Sequence, residues 1–308
     1  MGQGTGNGTG NGTGNGTGNG TGKTDDRVAL DDWYAVATAS EVTRQARTTR
    51  LLGQEIEVTR SGDGAPLARE RSRDGELGPP LPVRERYGCL WTTLGHPNRD
   101  VPTIEEAEET DRRFVPCGWV TLRTSGPRVV ENFLDMAHFP FVHTDILGAE
   151  PHTEVPAYAS EIRRDVDEVW ATNCTFFQPR IAATESAGDF VRLTYRVPSP
   201  FTVMLYRVCP SAPSRLDAIA LFIQPMEEEL CRAQAVMYLV DTVSTHTALL
   251  AFEQTIFLQD RIIVENQRPL RLPLEPRGEI PTRADKSSVV YRRWLKEKGL
   301  RFGTVGLS

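Results

Sequence analysis

The chain has 308 residues, with 35 basic and 41 acidic side chains, a net charge of −6 and 39% apolar residues. That balance disfavours a basic stripe for phosphate backbones, and no apolar run approaches the ~20 residues that span a bilayer, so neither nucleic acid nor membrane is an expected partner. Of 26 glycines, 11 occupy the even positions from Gly2 to Gly22, in a Gly-Thr-Gly-Asn repeat without charge or large apolar side chains. Residues 1–22 therefore read as a disordered tail, and they lack the basic start and apolar stretch of a signal peptide.

From Asp31 to about Thr59 the text is strand-like, with Trp33, Tyr34 and Val36, then Leu51, Leu52, Ile56 and Val58. Residues 61–82 are rich in Gly, Pro and charge, and read as a loop that contributes no core element. Short strands are expected again at Tyr87–Trp91 and Phe114–Leu122. Five runs of mostly alternating apolar residues follow, Val169–Phe177, Phe190–Val197, Thr202–Val208, Ala218–Ile223 and Ala233–Val240, several separated by Pro-rich turns. Their spacing predicts an antiparallel sheet with one covered face. Two helices close the chain, over Ser244–Gln267, before Pro269, and over Ala284–Lys298, before Gly299. The plan is α+β. Arg292, Arg293, Lys296, Lys298 and Arg301 read as the solvated face and last turn of that final helix. The five cysteines, Cys89, Cys117, Cys174, Cys209 and Cys231, are widely spaced and form no Cys-x-x-Cys or Cys-x-His pair. They read as reduced thiols of a cytoplasmic protein.

The densest chemistry lies between Val129 and His143. Two of the five histidines, His138 and His143, sit five apart, with Asp135 three before the first. On one helix Asp135 and His138 share a face, whereas His143 is turned by about 140°. Pro140 biases Phe139 away from helical geometry, so the chain can leave the helix after His138 and bring His143 back. A third ligand fits Asp260, which lies on the otherwise apolar stripe Leu249, Phe252, Ile256 and Ile263, where a bare carboxylate is costly unless a cation compensates it. Two imidazoles and a carboxylate form the facial triad of non-haem Fe(II) oxygenases. Taken alone, the histidine pair is a weak signal and is better read as satisfied core or surface histidines, and Asp260 fits equally a surface pair to Arg261 or Arg268.

The string from Glu131 to His143 (ENFLDMAHFPFVH) resembles the catalytic-domain signature of Rieske-type non-haem iron oxygenases, a ring-hydroxylating and O- or N-demethylating family. Residues 257–269 (FLQDRIIVENQRP) are similar to the segment with the third iron ligand, and residues 284–295 to the C-terminal helix. Asp32-Trp-Tyr34, Leu52–Ile56 and Glu85–Trp91 look like flanks of the family's Rieske domain, so the resemblance spans nearly 27–305. It implies a helix-grip-like antiparallel sheet with C-terminal helices in residues 123–308, and a reduced, mostly β Rieske-like remnant in 27–122. It also implies Fe(II) held by His138, His143 and Asp260, with Asp135 as the carboxylate that bridges an iron-ligating histidine to a neighbouring subunit's cluster. Asn132 could help hold that turn.

A Rieske [2Fe–2S] cluster needs two thiolates and two imidazoles. The family's Cys-x-His and Cys-x-x-His pairs are missing, since residues 61–82 contain neither Cys nor His. The expected protein is thus an oxidoreductase that uses O₂ to hydroxylate or demethylate a small aromatic or heterocyclic substrate. Its electrons would come from a cluster on a partner, either a Rieske-bearing reductase or a homologous oxygenase subunit in a trimeric or mixed oligomer. The alternative is a non-catalytic structural, regulatory or ligand-binding subunit. Phe176, Phe177, Met204 and Tyr206 are compatible with a pocket wall and equally with plain core.

Overall fold

Alternation along the central strands dictates the architecture, because each puts one set of side chains on either face of a pleated sheet. The computed structural model describes residues 22–180, 188–209, 212–276 and 278–306. Except for Gly22, the repeat read as a tail lies outside the described residues. The N-terminal part holds α1 (Arg27–Leu30), β1 (Tyr34–Thr38), β2 (Arg47–Leu51), β3 (Gln54–Arg60), β4 (Pro66–Arg71), β5 (Leu77–Pro80), β6 (Val83–Arg86) and β7 (Cys89–Thr92). It forms a three-stranded sheet ordered β1-β7-β6 and a four-stranded sheet ordered β2-β3-β4-β5.

The expectation of a loop at residues 61–82 is corrected: this segment supplies β4 and β5, and Ala68 is fully buried. The glycines that suggest a loop serve the two hairpin turns instead. Gly64 and Gly75 stand at φ +89° and +85°, in the left-handed region that side-chain-bearing residues avoid. Pro79 and Pro80 lie on β5, at the edge of the sheet, where a missing N–H costs little.

The second part is built on a seven-stranded antiparallel sheet. Its strands are β8 (Arg113–Leu122), β9 (Ala159–Arg163), β10 (Glu168–Gln178), β11 (Asp189–Ser199), β12 (Thr202–Cys209), β13 (Ala212–Glu227) and β14 (Leu230–Leu239), in the order β8-β14-β13-β12-β11-β10-β9. Four helices accompany it: α2 (Gly126–Leu134), α3 (Phe139–Val142), α4 (His246–Val264) and α5 (Lys286–Lys298). Helix α5 buries Val290, Tyr291, Trp294 and Leu295 on one face and ends at Gly299, whose φ of +78° and N–H to Leu295 and Lys296 carbonyls complete the cap. A final pair of two-residue strands, β15 (Leu272–Pro273) and β16 (Thr304–Val305), ties the C-terminus back. This α+β arrangement agrees with the sequence reading.

The sheet differs from expectation in having both faces covered. Leu205, Ile219, Leu221, Ala233, Ala235 and Met237 point toward the helices. The opposite face carries Met204, Tyr206, Ala218, Ala220, Phe222, Val236 and Tyr238, which pack against Trp33, Ala35, Cys89, Trp91, Val101 and Ile104 from the N-terminal part. Trp91 meets Phe222 edge-on at 4.7 Å between ring centroids. Outer positions such as Thr202, Gln234 and Arg232 make the strands look half-polar in sequence. Gln234 and Thr202 are nonetheless buried, and Arg232 lies over the Trp119 ring at 4.5 Å.

Candidate metal centre

Helix α2 ends at Leu134, four residues earlier than the sequence suggests. Asp135 adopts an extended conformation, and its carboxylate accepts hydrogen bonds from the Ala137 amide at 2.9 Å and the His138 amide at 3.2 Å. A side chain that captures the next backbone donors competes with helix continuation. The same carboxylate lies 2.9 Å from His138 Nδ1. His138 and His143 then bracket the single turn of α3, with Pro140 in the first turn, where its missing N–H is harmless. The turn brings the two Nε2 atoms to 3.1 Å.

The third group arrives on α4, whose start is fixed by Thr245 Oγ1 accepting from the Ala248 amide. Asp260 Oδ1 stands 3.3 Å from His138 Nε2 and 3.0 Å from His143 Nε2. Ligand atoms of the three residues lie within 4.8 Å of one another, and among the described residues no other group of His, Cys, Asp and Glu donors converges in this way. All five cysteines are buried.

The surroundings favour a cation at this cluster. Gln259 Oε1, beside Asp260 on α4, lies 2.8 Å from His143 Nδ1. With acceptors at both Nδ1 positions, each ring keeps its proton there and turns an Nε2 lone pair toward Asp260. Three electron-rich atoms thus meet at one point, and Asp260 Oδ1 is buried without a well-formed hydrogen bond. A divalent cation satisfies all three, and two imidazoles with one carboxylate suit ferrous iron. Without a cation a proton takes its place. Burial works to depress the His138 imidazolium, but Asp135 and Asp260 outweigh it and hold its pKa at about 9. Burial would raise Asp260, yet the two imidazoles draw it down to about 2. Gln259 had no sequence signal, being one of several polar residues on a mixed helix face.

Two spaces open from the cluster. An inner cavity of about 80 Å³ reaches His138, His143 and Asp260 between the sheet and α4, and an outer groove of about 730 Å³ reaches Asp135 and His138. Asn132 and His138 border both. The inner wall is apolar save for Asn132, Gln178, Tyr195, Arg207, Glu253 and the three cluster residues. Gln178 Oε1, the Tyr195 hydroxyl and Arg207 Nε are buried without a hydrogen-bond partner among the described residues, each at a cost of about 1–3 kcal/mol. Burial raises Glu253 to about 7, with Asp260 adding to the rise and Arg207 and His143 opposing it.

Phe176, Phe177, Met204 and Tyr206 do not line this cavity. Phe176 packs on Phe139 in the core, Phe177 meets His152 and Phe190, and Met204 and Tyr206 belong to the far face of the sheet. Ile263, expected on the buried stripe of α4, is 45% exposed and borders the outer groove. In the C-terminal cationic cluster Arg292, Lys296, Lys298 and Arg301 each pair with a carboxylate, and Arg293 lies 3.8 Å from Glu297. Among the described residues no helix is long and apolar enough to cross a membrane.

Comparison with known proteins gives the family. Residues 122–301 match the family described as vanillate O-demethylase oxygenase C-terminal domain. The probable methylxanthine N7-demethylase NdmC of Pseudomonas sp. (strain TJI-51) is 45% identical over 282 residues, covering 91% of this chain and 98% of that relative. Methylxanthine N1-demethylase NdmA of Pseudomonas putida is 25% identical over 69% of this chain and 59% of its own length. In fold, the structure of Pseudomonas putida CBB5 NdmA with caffeine superposes with a TM-score of 0.70 at 18% identity, covering 87% of this chain and 90% of that one. Dicamba monooxygenase bound to 3,6-dichlorosalicylic acid follows with 0.66 at 15% identity, covering 88% and 98%. The chain belongs to the Rieske-type non-haem iron oxygenases and is an oxidoreductase of their catalytic-domain type.

Proposed function

We infer that the chain is the oxygenase component of an oxidative N-demethylase acting on a methylated N-heterocycle of the xanthine class. The observation that carries this reading is the 45% identity to a probable methylxanthine N7-demethylase over 98% of that relative's length. In this reading residues 123–308 carry the catalytic centre, and residues 27–122 are what remains of a Rieske domain without its cluster ligands. His138, His143 and Asp260 hold Fe(II), which supplies the oxygen activation and redox chemistry of the family. The net reaction takes N–CH₃, O₂, two electrons and two protons to N–H, formaldehyde and water.

The chain's own residues do the rest. Gln259 and Asp135 keep the two imidazoles in the tautomer that presents Nε2, the inner cavity excludes bulk water, and its apolar walls hold a flat ring against the centre. Asp135 faces the outer groove and is where electrons from a partner's [2Fe–2S] cluster arrive. The partner is a Rieske-bearing reductase or a homologous oxygenase subunit, in a trimeric or mixed assembly, and five widely spaced cysteines without a Cys-x-x-Cys pair suit a cytoplasmic setting.

The test loads the full chain with Fe(II), supplies O₂ and 7-methylxanthine, and measures formaldehyde and xanthine with a cluster-bearing reductase present. Turnover is expected, together with loss of bound iron in His138→Ala and Asp260→Ala. An iron-loaded chain that yields no formaldehyde either with the cluster-bearing reductase alone or with a homologous cluster-bearing oxygenase subunit added refutes the demethylase reading. Sustained turnover with a cluster-free flavin reductase refutes the borrowed cluster.

A further inference from the structure

The sheet wall of the inner cavity carries three polar atoms, Gln178 Oε1, the Tyr195 hydroxyl and Arg207 Nε, with no hydrogen-bond partner among the described residues. Gln178 closes β10, Tyr195 lies on β11 opposite Leu205, and Arg207 lies on β12 opposite Leu193, all on the face that looks toward α4. Gln178 and Tyr195 are 3% and 1% exposed, and the Tyr195 ring stands edge-on to Phe133 at 6.2 Å. Arg207 Nε lies 3.6 Å from Asp217 Oδ2, close enough for charge attraction and too far for a hydrogen bond. A plain core would be served as well by Phe at position 195 and by an aliphatic side chain at 178. The hydroxyl and the amide have a use only when something in the cavity pairs with them.

Their chemistry defines that partner. The hydroxyl and the guanidinium offer O–H and N–H donors, and Gln178 Oε1 offers an acceptor, around a slot lined by such residues as Phe133, Leu205, Leu221 and Phe257. We propose that Gln178, Tyr195 and Arg207 select the substrate as a flat lactam heterocycle, Tyr195 and Arg207 donating to its ring carbonyl oxygens and Gln178 accepting from a ring N–H. This rests on the reading of the site as a heterocycle oxygenase and specifies what that site recognises. An aryl methyl ether without carbonyl or N–H leaves Gln178 without a donor and offers Tyr195 and Arg207 only one weakly accepting ether oxygen, and a heterocycle methylated at the recognised nitrogen leaves Gln178 orphaned. Sites built to hydrogen-bond a ligand reject such analogues more strongly than apolar pockets reject an extra methyl group.

The experiment measures dissociation constants by titration calorimetry on the iron-loaded full chain under anaerobic conditions, with 7-methylxanthine, caffeine and anisole. The parent is expected to bind 7-methylxanthine at least about tenfold more tightly than caffeine, and anisole most weakly. Gln178→Met, which keeps the volume and removes the acceptor, brings the two xanthines to within about threefold of each other. Tyr195→Phe weakens 7-methylxanthine by about tenfold while the thermal midpoint stays level or rises, because only an unpartnered hydroxyl is lost. Parent-like binding in both variants overturns the assignment, as does a parent that prefers anisole. A Tyr195→Phe chain that loses several degrees of stability with unchanged binding shows the hydroxyl to be structural and overturns its role. If the parent and variants bind as expected but no formaldehyde forms with the electron donor, the demethylase reading fails while the readout stands.

Discussion

Gln259 and Asp260 are adjacent on α4, yet they approach the metal centre through different atoms, one as a prospective ligand and the other by accepting from the far nitrogen of His143. Removing that acceptor frees the ring to rotate and to exchange tautomers. Gln259→Leu is therefore expected to weaken iron binding by about 10–100-fold with the fold intact, and Gln259→Glu to retain most of it. Chelator competition measures both, and unchanged affinity in the leucine variant would remove Gln259 from the site. A second residue, Asp32, lies outside the candidate metal centre, in the lining of a separate cleft. Burial pushes its carboxyl up to about 6 against the pull of the Trp33 amide, Ser199, Lys298 and Arg99. A folded-state value above the unfolded one means that the stabilising contribution is complete below about pH 4 and is lost as pH rises through 6. Asp32→Asn keeps the oxygen that accepts from Trp33, so it should stabilise the chain by up to roughly 3 kcal/mol at pH 7.5 and by little at pH 4. Thermal unfolding at the two pH values checks this, and an equal shift at both would contradict it.

Among the elements, α2 has to end where Asp135 begins, and its position depends on one buried cation. The guanidinium of Arg128, on α2, is fully enclosed, lies 3.0 Å from Glu131 and 2.6 Å from Glu279, and donates to the Pro269 carbonyl beyond α4. Arg292 of α5 closes the network onto Glu131 at 2.5 Å. Arg128→Met leaves two carboxylates facing one cation and should cost about 3–5 kcal/mol in denaturant unfolding, where a loss below 1 kcal/mol would show the network to be dispensable. Helix ends were otherwise legible. Gly299 stands where the sequence placed a helix end, and α4, capped by Thr245, begins at His246, two residues after the expected Ser244. The end of α2 was not legible, because an Asp in mid-pattern reads equally as a helical surface residue until its bonds to residues 137 and 138 are seen. Strands β4 and β5 were missed for a related reason. Their Gly and Pro residues mark two turns and an edge, and only Ala68 carries a core signal.

At the scale of the whole molecule, the two-sided burial of the seven-stranded sheet matters most. The sequence showed alternation but not its partner, since Met204, Tyr206, Phe222 and Tyr238 are apolar on the face that a one-sided sheet leaves to water. Their cover comes from Trp33, Trp91, Val101 and Ile104, a hundred or more residues away in the chain. The N-terminal part is thus half of a second core, and without it that face of the seven-stranded sheet is bared to water. Two outcomes follow. Trp91→Ala, deep in that core, should cost about 3–5 kcal/mol and lower a single unfolding transition seen alike by far-UV and near-UV signals, because the cores share the same strands. A chain of residues 113–308 keeps every strand of the large sheet and all of His138, His143 and Asp260, but bares a contiguous aromatic and aliphatic face. Such a patch drives association, so this truncation is expected to elute as aggregate or to remain insoluble. If it elutes as a monodisperse species and binds iron like the full chain, the outer core is no part of what holds the site together.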